Sequence, residues 1–462
     1  MNVLLISLYE LGRQPVHVAS PAAVLRQSGH HVDVRDLSIG ELDSQSLDKA
    51  DAVAISVPMH TAKRMGDDLT SQIKSYRPDL PVAHYGLYAS VGNGLDRGLL
   101  DAEMVGEYEP ALLSWVQEIS TSGGADKVVS QHLGRSDAAK PDRTGLPDLA
   151  SYAHLEWNGV SVPVGAVEAS HGCRHRCRHC PIPAVYDGRM RVVPQDLVLE
   201  DINQLVDAGA RHITFGDADF LNAPPHSKSI LELAHASHPE VTFDATVKVE
   251  HILNYEDVWK NLGEQNLLFL VSAFESVDQR TLDILDKGHT VDDMAKATSL
   301  VRSAGIHIRP TWLPFLPWTK ADHVSSLLRF IVDNDLSGAT DPVQLAIKLL
   351  VPQGSLLEDH PDMVPYLSDY DAEGLTWRWR FADAEVDVLQ KEIEAIASEA
   401  SDCGQEVGTT LEAIWTTVVQ RTGQDVGTLP SRPGVAPRLT ESWFCCAEPT
   451  STQTTTLQIG LN

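Results

Sequence analysis

Apolar positions along the chain group into short runs separated by helical patterns. Val3 to Ser7 is apolar without alternation, as in a strand buried on both faces of a parallel sheet. Further strand-like runs follow at His31–Arg35, Ala52–Val57, Val82–Gly86 and Met104–Glu107. Between the first two, Ser20-Pro21 offers a cap residue and a proline suited to the first helical position, Ala22, Ala23 and Leu25 continue the helix, and Gly29 ends it. A helix over Glu109–Ile119 completes an alternation of strands and helices that predicts a doubly wound α/β domain over residues 1–120.

Residues 121–160 are rich in Ser, Gly, Asp and Pro and read as a linker, with Leu146-Pro147-Asp148-Leu149 as its docking step. Beyond it, Val198, Ile202, Leu205 and Val206 share one helical face that Gly209 stops. Strands are expected at 212–216, 241–247, 267–274, 306–312 and 343–349, most of them separated by helices such as Val291–Ala304. Repeated strand–helix units over 161–365 predict a partial (β/α)6 barrel with its chemistry at the C-terminal strand ends. Trp377-Arg378-Trp379 leads into amphipathic helices over Ala384–Ser398 and Thr410–Arg421, a helical region spanning 366–426. From Gly427 to Asn462 the composition turns to Pro, Ser, Thr and Gln, which predicts an extended tail.

Composition narrows the class. The 462 residues carry a formal charge of −28, which repels nucleic acid, and 43% hydrophobic content is that of a globular protein. The start lacks a basic signal region and no stretch is long enough to span a membrane, so a cytoplasmic enzyme is expected. Six cysteines are sparse: Cys173, Cys177, Cys180, Cys403, Cys445 and Cys446. The first three sit in Ser-His-Gly-Cys-Arg-His-Arg-Cys-Arg-His-Cys-Pro, a metal-type array. Three thiolates at Cys-x3-Cys-x2-Cys suit three irons of a [4Fe–4S] cube with one iron left open. A zinc site completed by His171, His175 or His179 has the same spacing. Arg174, Arg176 and Arg178 would favour thiolate ligands and an anionic cluster.

This spacing resembles that of the radical S-adenosylmethionine (SAM) superfamily, and the downstream strand ends extend the resemblance over about 200 residues. The family implies that the open iron chelates SAM and that one electron cleaves its sulfonium to a carbon radical. Thr214-Phe215-Gly216-Asp217-Ala218-Asp219-Phe220 occupies the place where the family contacts the SAM amino group, so Asp217 or Asp219 is its implied acceptor. Phe243–Leu253, with Lys248, Glu250 and His251, matches the next strand end. Ala273-Phe274-Glu275-Ser276 and Lys287-Gly288-His289-Thr290 resemble the family's Gly-Ile-Glu-Ser and Lys-Gly-x-Thr pair, implying a SAM contact for Glu275; Ala273 stands where the family has glycine. Arg309-Pro310-Thr311-Trp312 and Val351-Pro352-Gln353-Gly354-Ser355 match the last strand ends, and Glu250 and Arg309 join the implied cofactor set.

The first domain resembles the Rossmann-like, cobalamin-binding type that precedes many such barrels, through Gly29–Val34, Ala54–Val57, Tyr85-Gly86 and Gly106-Glu107. The Asp-x-His-x-x-Gly motif that supplies a cobalt ligand in some of these is absent from the Leu8–Pro15 loop, and His17 reads as an ordinary residue opening a helix. Cobalamin is therefore an additional cofactor expectation, without a protein ligand beneath it. The tail Trp443-Phe444-Cys445-Cys446-Ala447-Glu448-Pro449 resembles that of a subgroup named for a Cys-Cys-Ala-Glu-Pro ending. Two adjacent thiolates suit a soft, thiophilic centre, and a neighbouring group of similar layout attaches the SAM aminocarboxypropyl chain to trivalent arsenic. The implied function is reductive SAM cleavage serving transfer to a small, thiophilic substrate held by Cys445 and Cys446, with an external flavodoxin- or ferredoxin-like donor. A cobalamin-dependent radical methyltransferase and a non-catalytic iron–sulfur or metalloid sensor are the alternatives.

Overall fold

A computed structural model describes residues 1–92, 98–123, 127–134, 138–430 and 436–440. The first sheet holds β1 (Asn2–Ser7), β2 (His31–Asp36), β3 (Ala52–Ser56), β4 (Val82–Tyr85), β5 (Ala102–Gly106) and β6 (Val128–His132) in the order β2-β1-β3-β4-β5-β6. All neighbours are parallel. The central strands β3, β4 and β5 are buried at every position, as the unbroken apolar runs require. Strand order reverses between β1 and β3, which opens a crevice outside their carboxyl ends.

Two local expectations change. Helix α1 spans Val16–Gln27 and contains Pro21, so it starts four residues before Ser20. Extended Pro15 sets its beginning, and burial of Val18, Ala19, Ala22 and Leu25 against the sheet outweighs the rung that Pro21 cannot donate. Within the expected linker, β6 extends the sheet by pairing with β5. Its sequence, Val-Val-Ser-Gln-His, is an edge strand with little to bury, which hid it from the pattern. Gly106, at φ +82, permits this join, because a Cβ there would lie 2.2 Å from the His132 carbonyl oxygen.

The second sheet is built from β7 (His154–Trp157), β8 (Val160–Val167), β11 (His212–Phe215), β12 (Thr242–Thr246), β13 (Leu267–Glu275), β14 (His307–Trp312) and β17 (Arg438–Leu439). Between β8 and β11 lies a small antiparallel pair, β9 (Ser170–Gly172) and β10 (Met190–Val192); β15 (Leu367–Asp371) and β16 (Thr376–Trp379) form a hairpin near the end. The order is β14-β13-β12-β11-β8-β7-β17, parallel from β8 to β14. Helices cover its outer face, giving the α/β half-barrel.

The sixth barrel strand expected at 343–349 is reduced to a single bridge between Phe315 and Lys348. A 3-10 turn, Pro342–Ala346, takes its place, capped by the Asp341 side chain. Gln344 Oε1 accepts from Trp312 N at 2.9 Å, so a side chain satisfies the β14 donor that a sixth strand would have paired. Helices Ala384–Asp402 and Val407–Thr422 bury Val386, Leu389, Ile393, Leu411, Ile414 and Val418 in the barrel's outer core. Within the expected tail, β17 pairs antiparallel with β7 and Thr440 N donates to the His154 carbonyl. Arg143, in the connecting segment, donates to Asp201, Gln14 Oε1 and the Ala166 carbonyl, bolting the two domains together. Among the described residues, no helix is long and apolar enough to cross a membrane.

Candidate active site

The cysteine loop leaves β9 at Gly172, and hydrogen bonds hold it at both ends. Cys173 N donates to the Arg189 carbonyl at 3.2 Å, and Arg178 N donates to the Leu285 carbonyl at 2.9 Å. Cys173, Cys177 and Cys180 all line one cavity of about 340 Å³. Asn222 Nδ2 lies 3.5 Å from Cys173 Sγ and its Oδ1 accepts from Arg174 N at 3.3 Å, fixing the first cysteine to the end of the β11 segment. Two of the arginines expected to support the thiolates point elsewhere. Arg176 pairs with exposed Asp187, and Arg178 donates to the Asp283 and Ile284 carbonyls. One cation beside the sulfurs is Lys287, only 3% exposed: burial opposes its charge, and Glu275, Cys177 and Cys180 outweigh that cost.

Glu275 ends β13 at φ +65, and its Oε1 receives Lys287 Nζ and His179 Nε2, each at 3.1 Å. Burial alone would raise its pKa, but Lys287 and His179 hold it well below the usual carboxylate range. Asp217 accepts from Ala169 N at 2.9 Å and from the Ser170 hydroxyl; burial lifts it to about 6 against these bonds. Asp219 accepts from Leu221 N at 3.0 Å and Lys248 N at 3.3 Å, with His251 Nδ1 at 2.9 Å. Asp217, Asp219 and Glu275 share the cysteine cavity. Glu250 and Arg309 stand outside that lining. Glu250 is drawn aside by Lys248 at 3.2 Å, and Arg309 sits farther down the barrel, donating to the Pro437 carbonyl at 3.1 Å. Cys445 and Cys446 lie outside the described residues.

The opposite wall comes from the first domain. Glu10, Arg13 and His17 after β1, Met59 after β3, Tyr88 after β4 and Tyr108 after β5 reach the same cavity. A chain of alternating carboxylates and imidazoles crosses between the domains. His17 Nδ1 lies 2.9 Å from Glu10 and Nε2 3.5 Å from Glu168; His171 Nε2 lies 3.4 Å from Glu168 and Nδ1 2.9 Å from Glu107. Burial opposes charge on His17, but Glu10 and Glu168 outweigh it and lift its pKa to about 9. The same balance lifts His171 and draws Glu168 down to about 2. Sequence reasoning left His17 as an ordinary residue and passed over Glu168. Only the fold brings these residues together, from positions 10, 17, 107, 168 and 171.

Residues 167–327 match the Radical SAM superfamily, so the chain carries a radical SAM domain and is an enzyme, and the zinc reading of the cysteines gives way to the [4Fe–4S] cluster and SAM that such a domain implies. It is 24% identical over 314 residues to the ribosomal protein uS12 methylthiotransferase RimO of Aromatoleum aromaticum, across 61% of this chain and 67% of the relative. It is also 24% identical over 165 residues to the tRNA-2-methylthio-N(6)-dimethylallyladenosine synthase of Chloroherpeton thalassium, across 34% of this chain and 36% of that one, so it spans little more than a third of the latter's length. Among solved structures it resembles the cobalamin-dependent SAM radical enzyme OxsB with aqua-cobalamin and SAM bound, at TM-score 0.64 and 14% identity over 87% of this chain and 66% of that one. It also resembles the radical SAM methyltransferase TsrM of Kitasatospora setae with cobalamin and a [4Fe–4S] cluster, at TM-score 0.56 and 17% identity over 74% and 75%. These two likenesses are of fold.

Proposed function

We propose that the protein is a cobalamin-dependent radical SAM transferase acting on a small molecule and supplied with electrons by a separate low-potential donor. One observation carries this reading: the cluster cysteines and the carboxyl ends of four strands of the first sheet line the same cavity. When bound, the cluster supplies the electron that cleaves SAM and the corrinoid supplies a methyl carrier.

The residues present fit both groups. Cys173, Cys177 and Cys180 would hold three irons, and Lys287 would balance their charge. Asp217 would accept the SAM amino group, and Glu275, kept ionised, would accept a ribose hydroxyl. On the facing wall, Gly86 at φ +113 lines the cavity; a Cβ there would come within 3.1 Å of the Val57 carbonyl, so the glycine keeps the ends of β3 and β4 close together. Both nitrogens of His17 face carboxylates, so His17 is not poised to ligate cobalt, and the first-domain residues that line the cavity would hold the corrinoid.

A second reading, aminocarboxypropyl transfer to a thiophilic substrate held by Cys445 and Cys446, is favoured by the direction of β17. It runs antiparallel to β7, which is itself antiparallel to β8, so β17 runs in the same direction as the parallel strands whose carboxyl ends line the cavity. Those cysteines follow Thr440 by five and six residues in the sequence.

Anaerobic reconstitution with SAM, reductant and hydroxocobalamin, followed by product analysis, separates these readings. S-adenosylhomocysteine with 5′-deoxyadenosine, rising with cobalamin, supports the first. Methylthioadenosine that disappears in Cys445→Ser and Cys446→Ser supports the second. Absence of SAM turnover under every condition sinks both.

A further inference from the structure

We propose that His175, Asp219 and His251 form a mononuclear divalent-metal site at the rim of the cavity, distinct from the cysteine-ligated cluster. Each offers one ligand atom, and the three atoms lie within 4.8 Å of one another. His251 Nδ1 is 2.9 Å and His175 Nε2 is 3.7 Å from Asp219 Oδ2. Both nitrogens are buried, and neither makes a hydrogen bond of acceptable geometry, close as His251 comes to the carboxylate. The His251 contact is short but misdirected and His175 Nε2 lies too far from the oxygen for a hydrogen bond, which leaves a point among the three atoms unfilled. A cation at that point, about 2.0–2.2 Å from each ligand, would satisfy all three after small side-chain rotations.

Two imidazoles and one carboxylate with open positions suit ferrous iron, zinc or cobalt rather than magnesium or calcium. His175 and Asp219 line the cavity, so the open positions would face a molecule bound there and take an oxygen, nitrogen or sulfur from it. The outer residues fit as well. A metal on His175 Nε2 needs a proton on Nδ1 and an acceptor for it, and Glu250 Oε2 lies 3.7 Å away. Lys248 is the competitor, with its ammonium 3.1 Å from His175 Nδ1 and 3.2 Å from Glu250. Metal binding requires it to release the imidazole and keep the carboxylate, so Lys248 weakens the site in its present state.

The test uses full-length protein with its cluster reconstituted anaerobically and excess metal removed, titrated with Co(II). Visible d–d absorption and elemental analysis give cobalt per chain beside cluster iron. One equivalent of cobalt is expected, weakened by at least the roughly 10–100-fold that loss of an outer partner costs a metal site in His251→Gln and in Asp219→Asn, with cluster iron unchanged. Lys248→Met should bind cobalt more tightly than wild type, a gain that a misfolded variant cannot produce. No cobalt beyond the cluster, wild-type affinity in both ligand variants, or unchanged affinity in Lys248→Met would each overturn the proposal.

Discussion

Lys287 Nζ lies 3.1 Å from Glu275 Oε1, and the two form a buried ion pair between the end of β13 and the wall of the cysteine cavity. His179 joins them from the cysteine loop itself, so the pair ties that loop to the barrel. Separating such a pair leaves one buried charge without its partner, which typically costs about 3–5 kcal/mol.

Glu275→Ala is therefore expected to destabilise the protein by about that amount, because Lys287 remains buried beside Cys177 and Cys180. Glu275→Gln, which keeps the shape and one hydrogen bond, should lose less. Denaturant midpoints of the two variants check the order; equal losses would mean that the lost charge, and not the lost hydrogen bond, carries the whole effect.

The histidine–carboxylate chain makes stability pH-dependent on the alkaline side. His17 has a folded pKa of about 9 against an ordinary 6.5, so its contribution is fully present below 6.5 and is lost as pH rises through 9. Glu168, drawn down to about 2 from 4.5, contributes above 4.5 and loses its effect as pH falls toward 2. Urea midpoints measured from pH 6 to pH 10 should fall across about 6.5–9, and His17→Gln should flatten the decline.

Asn222 is expected to tune the cluster. Hydrogen bonds to cluster sulfurs stabilise the more negative, reduced form, and the Asn222 amide lies 3.5 Å from Cys173 Sγ. Asn222→Leu should shift the midpoint potential to a more negative value, read by redox titration with electron paramagnetic resonance. An unchanged potential would leave Asn222 with a packing role alone.

Arg309 supplies a contrast. It donates to the Pro437 carbonyl inside the barrel and does not line the cavity. Arg309→Met should lower stability while SAM affinity, measured by equilibrium binding, stays within twofold or so of wild type. A large loss of SAM binding would return Arg309 to the cofactor set.

The sequence made much of this fold legible because its strands are either unbroken apolar runs or lie next to well-marked helices. The Cys-x3-Cys-x2-Cys triplet was readable because its residues are adjacent in the chain. Asp217, Asp219, Glu250, Glu275 and Arg309 were all singled out by their order after that triplet, and of these Asp217, Asp219 and Glu275 line the cysteine cavity. Position along a strand end does not say which way a side chain turns, and Lys248 turns Glu250 aside. The Glu10–His17–Glu168–His171–Glu107 chain had no local signature, since three of its members belong to the first domain and two to the second. Nor did β6 and β17, edge strands whose pairing depends on neighbours far away in the chain.

The bolt at Arg143 bears on how the protein can be dissected. A fragment ending at residue 120 would leave β5 as a bare edge, and one beginning at 161 would strip β8 of β7 and Asp201 of its guanidinium. The stretch that looks dispensable by composition is stitched into both halves, so neither half is expected to be soluble when expressed at those cuts. Genetic complementation with the two pieces would have to keep this strap on one of them.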